Sequence, residues 1–157
     1  MLDAMEGVTL LALVQADVTL LGHFDYYNRN EIEKNLEISV IAKDGKRFTI
    51  EPMQEIEGDL QQVVAALEPV MAGAMGNLGR SMEIFVLDNK NADGSKVIDS
   101  YESGQIDIRM VRRDGSVMDS TIELPMNCLY VPRKCPNGKD AHISWKFCPW
   151  TGVPLED

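Results

Sequence analysis

Residues 36–50 read LEISVIAKDGKRFTI, and the fold turns on this stretch. Leu36, Ile38 and Val40 alternate with Glu37 and Ser39, Lys43-Asp44-Gly45-Lys46 interrupts, and Phe48-Thr49-Ile50 resumes. Strand side chains point alternately to opposite faces, so this spacing gives one apolar and one polar face. Asp-Gly between two such runs supplies the positive φ that a tight hairpin needs. Pro52 has no N–H to donate and closes the second strand. The pattern returns at 106–124: Ile106 to Val111, a turn at Arg113-Asp114-Gly115-Ser116, then Val117 to Leu124. Thr49-Ile50-Glu51-Pro52-Met53 also resembles Thr121-Ile122-Glu123-Leu124-Pro125-Met126. A duplication would explain both matches, and hairpin chemistry arising twice explains them more simply.

Between the hairpins lies the strongest helical signal. Leu60, Val63, Val64, Leu67, Met71, Ala74, Met75 and Leu78 recur at three- and four-residue spacing, which puts them on one stripe. Asp59 and Gln62 have the spacing of a capping box at its start, Pro69 predicts a kink, and Gly76 to Gly79 ends it. The stripe is expected to bury against the sheet. Gly73, Gly76 and Gly79 follow a helix and precede a strand, the reverse of the order in which a helix N-terminus faces a phosphate. Met82 to Leu87 reads as a further strand. Residues 1–7 are expected to be a loose end. Val8 to Phe24 is ambiguous between helix and strand, with strand favoured in its second half. Phe24, Tyr26 and Tyr27 are expected at a core edge rather than around a ligand, and Asn28-Arg29-Asn30 as a turn. The loop from Asp88 to Ser95 places Asn89, Asn91, Asp93 and Gly94 at calcium-loop spacing. It has Ser100 where the bidentate Glu belongs, so a solvated hairpin loop is expected and calcium is not.

The fold class expected is therefore α+β: an antiparallel sheet of hairpins packed on one amphipathic helix, with a C-terminal ribbon-like hairpin. The domain boundaries are residues 1–127 for the body and 128–157 for a tail packed on it. The length of 157 residues suits one hydrophobic core. A net charge of -10 argues against a surface that binds nucleic acid or an anionic membrane throughout. The charge is uneven, however. Residues 129–150 hold Arg133, Lys134, Lys139 and Lys146 against Asp140 alone, a balance of +3 that leaves -13 elsewhere. The apolar run at Val8 to Leu21 follows Asp3 and Glu6 rather than Lys or Arg and is too short to span a bilayer. A cytoplasmic location without membrane attachment is expected.

All three cysteines and both tryptophans lie in the tail, CLYVPRKCPNGKDAHISWKFCPWTGVPL, from Cys128 to Leu155. Cys135-Pro136-Asn137-Gly138 and Cys148-Pro149-Trp150-Thr151-Gly152 each put Pro after Cys and Gly shortly beyond. These pieces resemble the Cys-Pro-x-Cys-Gly knuckles of zinc ribbons and rubredoxin-like modules. The resemblance covers about the last twenty residues and lacks the second cysteine of each knuckle; Gly138 stands near one and Thr151 at the other. It implies a zinc site, for which Cys128, Cys135, His142 and Cys148 are the available ligands. Two other readings stay open. The knuckles have lost their metal and Trp145, Phe147 and Trp150 hold the hairpin, or Cys135 and Cys148 form a disulfide, which needs an oxidising compartment.

No catalytic constellation is legible. His23 and His142 are far apart in the chain, and no nucleophile elbow or metalloprotease helix is present. The expected function is a non-catalytic interaction or adaptor protein that binds a protein partner through the tail, using Arg133, Lys134, Lys139, Trp145, Lys146 and Trp150. A nucleic-acid-binding module built on the same basic and aromatic residues is the first alternative. A metal-dependent enzyme with an open coordination position is the second.

Overall fold

The computed structural model describes residues 5–155. It is an α+β fold whose strands pair in antiparallel fashion. Of the loose end expected at residues 1–7, residues 1–4 lie outside the described residues. Gly7, at φ 78°, accepts a hydrogen bond from the Asn89 amide at 2.9 Å.

The two hairpins read from the sequence form one sheet. Strands β1 (Val8–Leu13), β2 (Ala16–Val18), β3 (Phe24–Tyr26), β4 (Leu36–Ile41), β5 (Arg47–Ile50), β6 (Glu83–Asp88), β7 (Gly104–Val111) and β8 (Val117–Leu124) make up the body, with four of them in the order β5-β4-β7-β8. Register sets Ile38 opposite both Ile50 and Ile108, and Val40 opposite Ile106. These side chains share one face and build the core with Met110 and Leu124. The other face carries Ser39, Arg47, Asp107 and Thr121, tied by Arg47–Asp107 at 3.1 Å and Thr121–Asp107 at 3.1 Å. The expected alternation is thus realised on both hairpins.

A second layer covers the apolar face. β1 pairs with β6 from Val8↔Asp88 to Leu13↔Glu83, and Leu13, Phe85 and Leu87 enter the same core. The ambiguous N-terminal run is therefore strand, in two pieces. β2 and β3 form a separate small hairpin whose tip is closed by Gly22 at φ 78°.

Helix α1 (Arg29–Asn35) occupies the place where the sequence reading expected only a turn. Asn28 accepts from the Glu31 amide at 3.1 Å, while the Glu31 carboxylate accepts from the Asn28 amide at 3.0 Å. This reciprocal cap satisfies two amides that a helix start otherwise leaves free. Ile32 is fully buried in the core. Tyr27, just before the helix, is a core residue as expected. Its hydroxyl donates to Asp17 at 2.6 Å and accepts from the Arg113 amide at 2.8 Å. The Arg113 guanidinium lies 4.1 Å from the Tyr27 ring centroid and forks onto Glu31 at 2.9 and 3.0 Å.

Helix α2 (Gly58–Met75) forms where the periodicity placed it, with Pro69 inside it. Its packing differs from the expectation. Among the stripe residues only Leu60 is buried; Val63, Val64, Leu67 and Met71 are half-buried, and Ala74, Met75 and Leu78 are exposed. None joins the main core, because β1, β6 and Ile32 of α1 already cover the sheet's apolar face. Glu57, not Asp59, is the N-cap residue, and it makes no side-chain cap bond. Asp59 lies in the first turn, where its charge suits the helix dipole. The chain turns at Gly76 into the short α3 (Asn77–Arg80). Here α3 meets α2 so closely that a Cβ on Gly79 would lie 2.0 Å from the Met71 carbonyl oxygen. No helix among the described residues is long and apolar enough to cross a membrane.

Candidate functional site: a thiol pair in a basic aromatic tail

The tail begins with a 3-10 turn at Asn127–Leu129 and continues through β9 (Arg133–Lys134) and β10 (Asp140–Ala141), which pair with each other. Asn127 accepts from the Ile143 amide at 2.9 Å, and Tyr130 packs edge-on against Tyr101 of the body at 6.3 Å. Beyond these ties the tail has its own small core of Cys135, Ala141 and Cys148, with Trp145 and Leu155 against them.

The two cysteine turns, alike in sequence, differ in shape. In the first, the Gly138 amide donates to the Cys135 carbonyl and the Cys135 amide to that of Lys139, both at 2.8 Å. Ala42 to Lys46, Asn91 to Ser95 and Arg112 to Ser116 make the same pair of bonds around a glycine of positive φ. In each, an Asp or Asn one residue before the glycine accepts from the amide two positions on. The Cys135 turn is therefore the hairpin turn of the body, used a fourth time. The second turn is one residue longer: the Gly152 amide donates to the Cys148 carbonyl, and the Cys148 amide to that of Val153. Within it, the Trp150 and Thr151 amides favour the Cys148 thiolate. The two turns, expected to be alike, thus differ by one residue in their hydrogen-bond closure.

Burial opposes ionisation of Cys148, which is 1% exposed. The Thr151 hydroxyl, the Cys135 thiol and the two amides all favour its thiolate and outweigh that effect, bringing the thiol down to about 7. Burial and the Cys148 sulfur push Cys135 up, while Arg133 and Lys139 act in the opposite direction. Cys135 and Cys148 are thus a coupled pair of reduced thiols.

The other two expected ligands lie elsewhere. Cys128 is exposed on the 3-10 turn, although its apolar surroundings in the sequence suit a core position. The His142 Nδ1 is 2.8 Å from the Ser144 hydroxyl and 3.8 Å from Glu123, with its ring against Trp145. Among the described residues no three His, Cys, Asp or Glu side chains come together as a metal site requires. Of the four expected ligands, Cys135 and Cys148 are the two that share the tail core.

Among the residues expected to bind a partner, Lys139, Trp145 and Trp150 lie against one another. Trp150 is 50% exposed, with Lys139 Nζ 4.6 Å from its ring centroid, and meets Trp145 edge-on at 5.8 Å. Phe147 is 60% exposed and so lies outside the tail core that one reading assigned it to. Lys146 is exposed, and Lys134 is exposed and paired with Asp140. Arg133 is half-buried; one terminal nitrogen donates to the Ile143 carbonyl at 2.9 Å, and the other is buried without a partner among the described residues.

Sequence reasoning missed a second exposed apolar surface. Val18, Leu20, Leu21 and Phe24 all project into solvent from the tip of the β2–β3 hairpin. The signal was Gly22, a turn residue directly after an apolar pair that was read as part of a buried run. A cleft of about 640 Å³ lies between the turns at 42–48 and 91–97. Its Lys46 and Asp44 pair with each other at 2.8 Å, and Asp93 is taken up by Ser95. Asn89, weighed as a calcium ligand, spends its amide on the backbone of Ile98 at 2.5 and 2.8 Å.

Searches against protein-family models, curated proteins and solved structures return no match, so the chain's chemistry is read from its own geometry.

Proposed function

We propose that this chain is an interaction protein whose C-terminal hairpin binds an acidic segment of a protein partner. The observation that carries this reading is Trp150, half-exposed beneath the Lys139 ammonium and edge-on to Trp145. Aromatic side chains that keep one face in solvent are frequent anchors of protein interfaces. The excess of positive charge around them selects an acidic partner, while the negative body discourages nucleic acid.

The test is capture by the full chain, identification of the captured protein, and titration of that protein in purified form. Trp150→Ala is expected to weaken binding by about thirtyfold, the scale of an interface hot spot. Lys134→Glu with Lys139→Glu and Lys146→Glu is expected to weaken it further and to leave the melting temperature unchanged, since exposed charges contribute little to stability. Binding that survives both changes but is lost in Leu20→Ser with Leu21→Ser would move the interface to the β2–β3 tip. Nucleic acid as the captured species, with affinity falling steeply in salt, would favour the alternative module.

The zinc-stapled form of the tail belongs to the same proposal. Elemental analysis of the purified chain decides it. One zinc per chain supports the staple, and its absence assigns the hairpin to the thiol pair and the Trp145 packing.

A further inference from the structure

The Cys135 side of the thiol pair opens onto a cleft of about 340 Å³ between the two cysteine turns. Arg133, Lys134 and Pro136 line it from one turn, and Pro154 and Leu155 from the other. Three features meet there. A buried thiol forms part of the wall with a second thiol behind it. Two cationic side chains flank that thiol. One of them, Lys134, also pairs with Asp140, and the other, Arg133, has a buried nitrogen with no partner among the described residues. A buried guanidinium donor without an acceptor is costly, and a carboxylate satisfies it best.

From this arrangement we infer that Cys135 and Cys148 form a thiol–disulfide exchange site whose substrate is an anionic low-molecular-weight disulfide, seated with its carboxylates on Arg133 and Lys134. The exchange balances as two displacements. With Cys148 starting as the thiolate, Cys135 passes its proton to the Cys148 sulfur and attacks one sulfur of the small disulfide, whose S–S bond breaks. One small thiolate leaves, takes up the proton relayed through Cys148, and departs as a thiol. The Cys148 thiolate then attacks the Cys135 sulfur and expels the second small thiolate, which is protonated by water. The protein dithiol is oxidised to a disulfide by two electrons, and the small disulfide is reduced to two thiols. Such exchange depends on which sulfur is accessible as much as on thiolate fraction. Here Cys135 borders the cleft and Cys148, more deeply buried, is placed to resolve the mixed disulfide.

The experiment uses the full chain with Cys128→Ser, which removes the exposed competing thiol, and a chelator to keep metal off the pair. The reduced protein is exposed to oxidised glutathione or, in a parallel arm, to the uncharged bis(2-hydroxyethyl) disulfide. Intact mass and peptide mapping report the products. The expected result is a loss of two hydrogens with Cys135 linked to Cys148, formed about fivefold faster by the anionic disulfide, the scale of one exposed ion pair. Added salt should shrink that preference. Persistent glutathione adducts without a Cys135–Cys148 link, unreacted thiols, or equal rates for the two disulfides would each overturn the assignment.

Discussion

The Thr151 side chain favours the thiolate of Cys148, from the position where a zinc knuckle carries its second cysteine. Removing that hydroxyl takes away one of the interactions that hold the thiol down at about 7. In Thr151→Val, the pH midpoint for Cys148 alkylation is expected to move upward. Site-resolved mass spectrometry in the Cys128→Ser background measures it, and an unmoved midpoint would show that the Cys135 thiol and the backbone amides set the value.

The same depressed value predicts a pH-dependent tail. The folded-state pKa of Cys148 lies below its ordinary value near 9, so ionisation stabilises the fold. That contribution is fully present above about pH 9 and is lost as pH falls toward about 7. Tryptophan fluorescence of Trp145 and Trp150 during denaturant unfolding should show a tail more stable at pH 9 than at pH 7. The difference should vanish in Cys148→Ala; if it persists there, another group is responsible.

Core and helix substitutions should separate sharply. Phe85→Ala, at a side chain with no exposed surface, is expected to cost about 3–5 kcal/mol. Leu67→Ala, on the half-buried stripe of α2, should cost less than about 2 kcal/mol, because it leaves a gap open to solvent rather than a sealed cavity. Equal losses in chemical denaturation would mean that the stripe is covered in solution.

Two glycines of the helical segment predict opposite signs. Gly73 lies inside α2, and a methyl group added there would meet nothing within 4 Å, so Gly73→Ala should stabilise by about 0.5–1 kcal/mol. Gly79→Ala would drive its methyl into the Met71 backbone and should force α3 away from α2. A lower melting temperature for Gly79→Ala and a higher one for Gly73→Ala is the expected pair of results.

The reciprocal cap of α1 supplies a local check on the body. Asn28→Ala should destabilise by about 0.5–2 kcal/mol, the usual cost of losing such a cap. An unchanged denaturation midpoint would show that the bond between Arg113 and Glu31 holds the helix start without it.

By itself, the sequence determined what local chemistry determines. Asp44-Gly45 and Asp114-Gly115 set both hairpin turns, and period-two alternation set which of Ile38, Val40, Ile106 and Ile108 would share a face. Asn28-x-x-Glu31 also spelled out a helix start, and its flanking polar residues masked it as a turn. The span of α2 was legible because a period of 3.6 is a local property. Whether its stripe would be buried was not legible, since that depends on what else competes for the sheet. β1, β6 and Ile32 took the place, and periodicity carries no information about such competition. The tail divides along the same line. Cysteines, prolines and glycines marked two turns, but one residue of spacing made one an ordinary hairpin turn and the other a longer loop whose amides favour the Cys148 thiolate. Which donors would converge was settled by how the turns pack on each other. That packing joined Cys135 to Cys148 in one small core and left Cys128 exposed on the 3-10 turn, a long-range outcome that no local pattern encodes.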